Sequence, residues 1–358
     1  MAPTRNESPS VPPAIGDPGA PSTPSPRPAS EIRCVVRWDL DKTYLRTDFK
    51  GFGKLLRTAL QRADKKVSFP GAPTLMQELR AQGGRICIIS GSPRQMRKVL
   101  EEKLRLDGVD WDEFILKPNL SNLMRGRFRA MRDQIGYKLP ALLASRNALG
   151  KPLPELLFGD DAEADAFIYS LFGDLLAGRV GEKLLARILD AADLYEDQRR
   201  LIAEQVAVLE QQDAVQRIFI HLERRSPPAR FAPYGPRVVP IYNYFQASLV
   251  ALADGALPAS SVLKVVVDMI THAGYGPSAL ANSFQDLLRR GYAEVGALTG
   301  LADAVEQYGN LFDVLRPARD IFQAFMRRLS AAAEHRPVEP PRAREIDYLE
   351  LLADTRRV

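Results

Sequence analysis

The chain has 358 residues, 46% hydrophobic and 26% charged, which is the balance of a globular protein with ample apolar mass for a core. Its 49 Lys and Arg against 44 Asp and Glu leave a formal charge of +5, a mild basic excess that suits an anionic partner without requiring nucleic acid. Cys34 and Cys87 both sit inside apolar runs and argue against a disulfide-stapled secreted scaffold. No apolar run is long enough for a bilayer and no basic-then-apolar leader is present, so the expected compartment is the cytoplasm.

Residues 1–30 hold nine of the 27 prolines amid Ser, Gly, Ala and Thr, a composition expected to stay disordered. From residue 31 short apolar runs alternate with amphipathic stretches. IRCVVRW (32–38) predicts a buried strand, APTLMQELRAQGG (72–84) a helix closed by glycines, and RICIIS (85–90) a second strand. PRQMRKVLEEKLRL (93–106) follows as a helix with Pro93 in its first turn, then EFILK (113–117) as a third strand. YKLPALLASRN (137–147) predicts a helix with Pro140 near its start, ELLFGDD (155–161) a fourth strand, and VQRIFIHL (215–222) a fifth. Alternation of this kind implies parallel pairing in a three-layer, Rossmann-like α/β sandwich.

Residues 163–212 are too long and too helical for a simple crossover and are expected to add a helical insert to a catalytic domain spanning 31–239. Residues 240–335 read as a C-terminal helical region, and 336–358 as a linker with a short terminal helix. Neither segment flanking the second strand unit, 44–70 or 103–136, looks large enough for a full lid domain, so a minimal cap and an open site are expected.

In a parallel sheet ligands bind beyond the carboxyl ends of the strands. The first predicted strand delivers Asp39, Asp41 and Thr43, the second Ser90, Gly91 and Ser92, and the fourth Gly159, Asp160 and Asp161, with Asp165 beyond; Lys138 heads a helix. So many carboxylates at one edge repel one another unless a hard cation such as Mg²⁺ lies among them; the candidate metal ligands are Asp39, the backbone carbonyl of Asp41, and Asp160 with Asp161 or Asp165, Asp161 being otherwise a spectator. Asp39 and Asp41, two apart in an extended segment, are expected to share a face. A metal-bound carboxylate is a poor general acid, so Asp39 is assigned as nucleophile toward phosphorus and Asp41 as acid/base. Ser90 and Lys138 would hold phosphoryl oxygens. Thr43, Gly91, Ser92 and Arg94 flank the same ends as substrate contacts.

DLDKT, IISGS, YK and GDDAEAD, in that order, resemble the four motifs of haloacid dehalogenase-type phosphatases over roughly residues 31–222. The resemblance implies that superfamily's fold and Mg²⁺-dependent hydrolysis of a phosphate monoester through an aspartyl-phosphate. GAPTLMQELRAQGGRICIISGSP and GDDAEADAFIY are also similar to the catalytic domain of actin-patch-type phosphatidate phosphatases and their bacterial relatives. That likeness implies a phosphatidate-like lipid reached by peripheral membrane contact. The chain departs from this pattern at Arg94, where the family commonly has Trp, and at Lys42, where it usually has Asp.

Other roles for the same residues stand beside these. Asp39 and Asp41 could close a surface turn, and Ser90 and Ser92 could cap the helix starting near Pro93. Lys117, after the third strand, rivals Lys138 as the phosphate-binding amine. His221, His272 and His335 show no ligand spacing and read as ordinary core or surface histidines. The alternative to an enzyme is a non-catalytic scaffold of the same fold that binds a partner protein through its C-terminal helices.

Overall fold

Among the described residues six apolar segments pair into one sheet: β1 (Cys34–Trp38), β2 (Gly84–Pro93), β3 (Glu113–Lys117), β4 (Glu155–Asp160), β5 (Val215–His221) and β6 (Val238–Ile241). The order is β3-β2-β1-β4-β5-β6, and every neighbouring pair is parallel. The computed structural model describes residues 31–46, 67–117, 127–293 and 345–357, together with isolated positions between 300 and 327. The proline-rich tail, most of the 44–70 segment, part of the 103–136 segment, the helix expected before residue 335 and the 336–344 linker lie outside the described residues.

Helices cover both faces of the sheet. Alternate strand residues turn to opposite sides, so Val36, Trp38, Ile86, Ile88, Phe158 and Val239 line one face while Ile89, Leu157, Ile218 and Val238 line the other. The first face is packed by α1 (Ala72–Ala81), α2 (Arg97–Leu106), α7 (Tyr244–Ala253), α8 (Ala259–Ala273) and α9 (Pro277–Arg289). The second is packed by α3 (Arg127–Asn147), α4 (Asp165–Leu176), α5 (Glu182–Ala191), α6 (Glu196–Ala207) and α10 (Tyr348–Arg357). Coverage on both sides explains why these strands read as continuous apolar runs rather than alternating ones. Among the described residues no helix is long and apolar enough to cross a membrane.

Three features differ from the sequence expectation. β6 was not anticipated, because four residues that include Pro240 look like a strand break. β6 is the last strand of the sheet, a setting that tolerates proline because its outer side needs no ladder donor. On its outer margin Val238 N donates to Gly235 O, Tyr292 Oη donates to Val238 O at 2.9 Å, and Arg290 Nη1 donates to Pro240 O at 2.7 Å. Second, the boundary expected at 239/240 falls inside β6, and α7, α8 and α9 share one core with β1; they form a layer of the sandwich rather than an appended region. Third, α3 begins at Arg127, so Pro140 lies well inside it. An interior proline costs about 3 kcal/mol, and burial of Ile135, Leu139, Leu142 and Leu143 in the second core offsets this.

One charge cluster lies within the sandwich. Arg37, in the middle of β1, is fully buried and donates to Glu155 of β4 through Nε, and to Ser145 Oγ at 2.8 Å. Arg146 Nη1 reaches the same Glu155 at 3.1 Å. Every buried polar atom of these three charged side chains has a partner.

Candidate functional site

The chain builds outward from β1 through β2 to β3, then returns to place β4 on the other side of β1. That reversal opens a crevice at the carboxyl ends of β1 and β4, the place where open parallel sheets bind ligands. Trp38 and Phe158 end the two strands side by side, their rings stacked at 3.9 Å. Asp39 follows one, and Gly159-Asp160 completes the other.

Four carboxylates meet there. Asp39, Asp160, Glu163 and Asp165 each offer an oxygen, all within 4.8 Å of one another. Lys138 is fully buried among them, its Nζ 3.1 Å from Asp39 Oδ1, 2.9 Å from Glu163 Oε2 and 2.5 Å from Asp165 Oδ1. Local backbone explains the convergence. Asp160 Oδ1 accepts the amides of Ala162 and Glu163, folding the loop back, and Asp165 Oδ2 accepts the Asp160 amide at 3.2 Å. Gly159 is required by this packing: a Cβ there would stand 2.5 Å from the Asp165 side chain.

The electrostatics are unbalanced: four carboxylates gather around the Lys138 ammonium, and Lys42 adds a lesser pull on Asp160. Burial pushes the Asp39 carboxyl well above the usual range; Lys138 pulls it back, and Asp165, Glu163 and Asp160 add to the rise. Asp160 is raised by burial and then by Glu163 and Asp165, and Asp165 by burial against the pull of Lys138. For Lys138, burial disfavours the ammonium, yet Asp165, Asp39 and Glu163 outweigh it and hold its pKa well above the ordinary lysine value. Asp160 Oδ2 is buried with no hydrogen bond, and Asp39 Oδ1, also without one, has only the Lys138 ammonium at 3.1 Å beside it. Buried oxygens of this kind are costly unless something positive meets them. An all-oxygen donor set with an excess of negative charge could hold a metal ion, and its chemistry suits a hard cation.

Asp41 takes different partners from Asp39, so the two carboxylates expected to share a face are divided between two groups. Thr43 Oγ1 donates to Asp39 Oδ2 at 3.3 Å, whereas Asp41 Oδ2 accepts from Ser90 Oγ at 3.0 Å and Ser92 Oγ at 2.7 Å. Lys42, directly after Asp41, is held at φ 61, a left-handed backbone uncommon for a residue with a side chain. The Asp41 side chain is therefore not one of the four clustered carboxylates. Asp161 corrects the expectation outright. Its two oxygens accept the amides of Arg224 at 2.8 Å and Ser226 at 2.9 Å, so it fastens a loop and does not face the cluster.

Glu163 occupies the place expected of Asp161, and the sequence reading missed it. The signal was a third acid inside GDDAEAD, whose longer side chain reaches Lys138. Lys117 ends β3, with β2 between it and β1, and among the described residues it makes no ion pair with the cluster. Gly91 adjoins open space, with no atom within 4 Å of a Cβ built there, and Arg94 is exposed at the rim of the same strand end. Tyr137 Oη donates to Ser90 O at 3.0 Å and so ties α3 to β2 beside the site. His221 is buried, as expected of a core histidine, with Nδ1 3.3 Å from Lys42 O.

Fold and site together define a parallel α/β protein with a buried carboxylate–lysine cluster at its topological switch point. No family model, no curated protein and no solved structure matches the chain.

Proposed function

We propose that the chain is a Mg²⁺-dependent phosphomonoester hydrolase of the haloacid dehalogenase type, working through an aspartyl-phosphate on Asp39. The observation that carries this is the group of Asp39, Asp160, Glu163 and Asp165 around Lys138, with Asp160 Oδ2 buried and lacking a hydrogen bond and Asp39 Oδ1 met only by the shared ammonium. Asp39, Asp160 and one or both of Glu163 and Asp165 would hold the cation, which when bound neutralises carboxylate and phosphoryl charge.

Asp39 Oδ1 is the nucleophile: it forms the O–P bond while the bond from phosphorus to the leaving oxygen breaks. Thr43, on Oδ2, fixes the orientation of the carboxylate. The Asp41 carboxyl gives its proton to the leaving oxygen, then takes one from the water that cleaves the acyl-phosphate and regenerates Asp39. Lys138 and the Ser90 hydroxyl turn to the phosphoryl oxygens as charge builds on them. The Ser90 hydroxyl, which lies on Asp41, exchanges that bond for the phosphoryl group.

The proposed substrate is a phosphate monoester, either soluble or a phosphatidate-like lipid reached at a membrane surface. Hydrolysis of a generic aryl phosphate with Mg²⁺ tests the chemistry. Asp39→Asn is expected to lower kcat by on the order of 10⁴-fold, as loss of a covalent nucleophile does. Equal rates in the two proteins reject the assignment. Mg²⁺ is expected to raise the Tm of the wild type, since a ligand confined to the folded state stabilises it.

A further inference from the structure

Beyond the ends of β5 and β6 lies a cavity of about 390 Å³ that the proposed chemistry does not use. Its size is that of a small-molecule site. Three half-exposed or exposed rings, Phe69, Tyr242 and Tyr275, stand in its walls, and two arginines, Arg46 and Arg225, flank it against one carboxylate, Glu223. His221 adds no charge at neutral pH, because burial lowers its pKa to about 4. Among the described residues neither arginine is paired with a carboxylate, and the Arg46 guanidinium lies over the Phe69 ring at 5.4 Å. The described lining is thus net positive and predominantly polar, with the three rings as its flat apolar elements.

Its construction is specific. Arg225 is held at φ 57, a left-handed conformation that a residue with a side chain adopts only when its surroundings impose it. The surroundings are visible: Asp161 grips the amides on either side of it, at Arg224 and Ser226, and Arg225 N donates to Leu222 O. The back wall is equally fixed, since Tyr244 Oη donates to Thr43 O and its ring lies 5.6 Å from Trp38.

We infer that this cavity binds an organic anion carrying a flat ring, with the anionic group between Arg46 and Arg225 and the ring against Phe69, Tyr242 and Tyr275. The inference stands apart from the chemistry at Asp39. The probe is naphthalene-2-sulfonate, which has no phosphoryl group, compared with uncharged 2-naphthylmethanol. Binding is read by calorimetry.

The sulfonate is expected to bind the wild type at least about 10-fold tighter than the alcohol, the scale of a charge-assisted contact. That preference should shrink as salt is added. It should persist in Asp39→Asn, whether or not that variant alters hydrolysis, and it should vanish in Arg46→Ala/Arg225→Ala. Both arginines are exposed, so the double variant should unfold within a few degrees of the wild type, which a thermal scan verifies. Equal affinity for the two probes, no binding of either, or a preference that survives the double substitution overturns the inference.

Discussion

Arg37 and Asp39 stand two residues apart on one chain segment, and Glu155 and Asp160 open and close the strand beside it, yet the two buried charge clusters obey opposite rules. The Arg37–Glu155–Arg146 group is paired throughout, and none of its buried atoms lacks a partner. The group two residues further on crowds four carboxylates around Lys138 and leaves Asp160 Oδ2 without a hydrogen bond and Asp39 Oδ1 with only the shared ammonium beside it. Both lie largely out of water, Glu163 being the most exposed member at 14%, so burial alone does not distinguish the paired cluster from the unbalanced one. Balance does. A paired cluster holds the strands together, whereas an unbalanced one costs stability that a cation can return.

Breaking the balanced cluster should have the largest effect. Glu155→Ala strands two buried guanidinium groups and is expected to cost about 3–5 kcal/mol in urea unfolding. The Arg37→Met/Arg146→Met/Glu155→Leu triple variant, which removes all three charges together, should recover much of that loss, which would show that the charges hold each other rather than a ligand.

Next in size is the pH response of His221, whose pKa is lowered from 6.5 to about 4 by burial. Below pH 6.5 the unfolded chain takes up a proton that the folded chain refuses, so stability falls as pH drops from 6.5 to 4, by up to roughly 3 kcal/mol. His221→Gln should remove that portion of the slope. The difference between the two profiles isolates the imidazole from carboxylates that titrate in the same range.

The unbalanced cluster should respond with the opposite sign to Glu155→Ala. Asp160→Asn keeps the oxygen that accepts the Ala162 and Glu163 amides and replaces the partnerless one with a donor. With chelator present it is therefore expected to stabilise the fold by about 1–2 kcal/mol, and to reduce the rise in Tm on adding Mg²⁺. Destabilisation comparable to that of Glu155→Ala would show that the two clusters do not differ in kind.

The smallest effect belongs to Asp161→Asn, which gives up one of two amide acceptors at about 1 kcal/mol. It should leave Mg²⁺ stabilisation intact, whereas a true ligand would not.

Much of this contrast could be seen before the fold was known. Runs such as CVVRW, RICIIS and ELLFG are buried on both faces, so their strand character was plain, and Asp39, Asp160 and Asp165 could be placed at strand ends. Lys138 was placed by motif order, since a lysine in a helical pattern carries no sign of burial. What stayed hidden depended on distant backbone. The capture of Asp161 by amides more than sixty residues downstream leaves no mark near GDDAEAD, and the reach of Glu163 depends on how that loop folds back. Arg37 looked like an interruption in an apolar run because its counter-ion lies on another strand. Pro140 suggested a helix start, and only the core contacts of the residues around it show why the helix continues.

The outer margin of β6 carries a last consequence. Val238 has both its donor and its acceptor occupied, Pro240 has no donor to offer, and its acceptor is covered by Arg290. A strand from another molecule arriving along that border would find no ladder to join. The protein has closed this flank to cross-chain zippering, so neither a borrowed peptide nor a growing fibril can extend the sheet there.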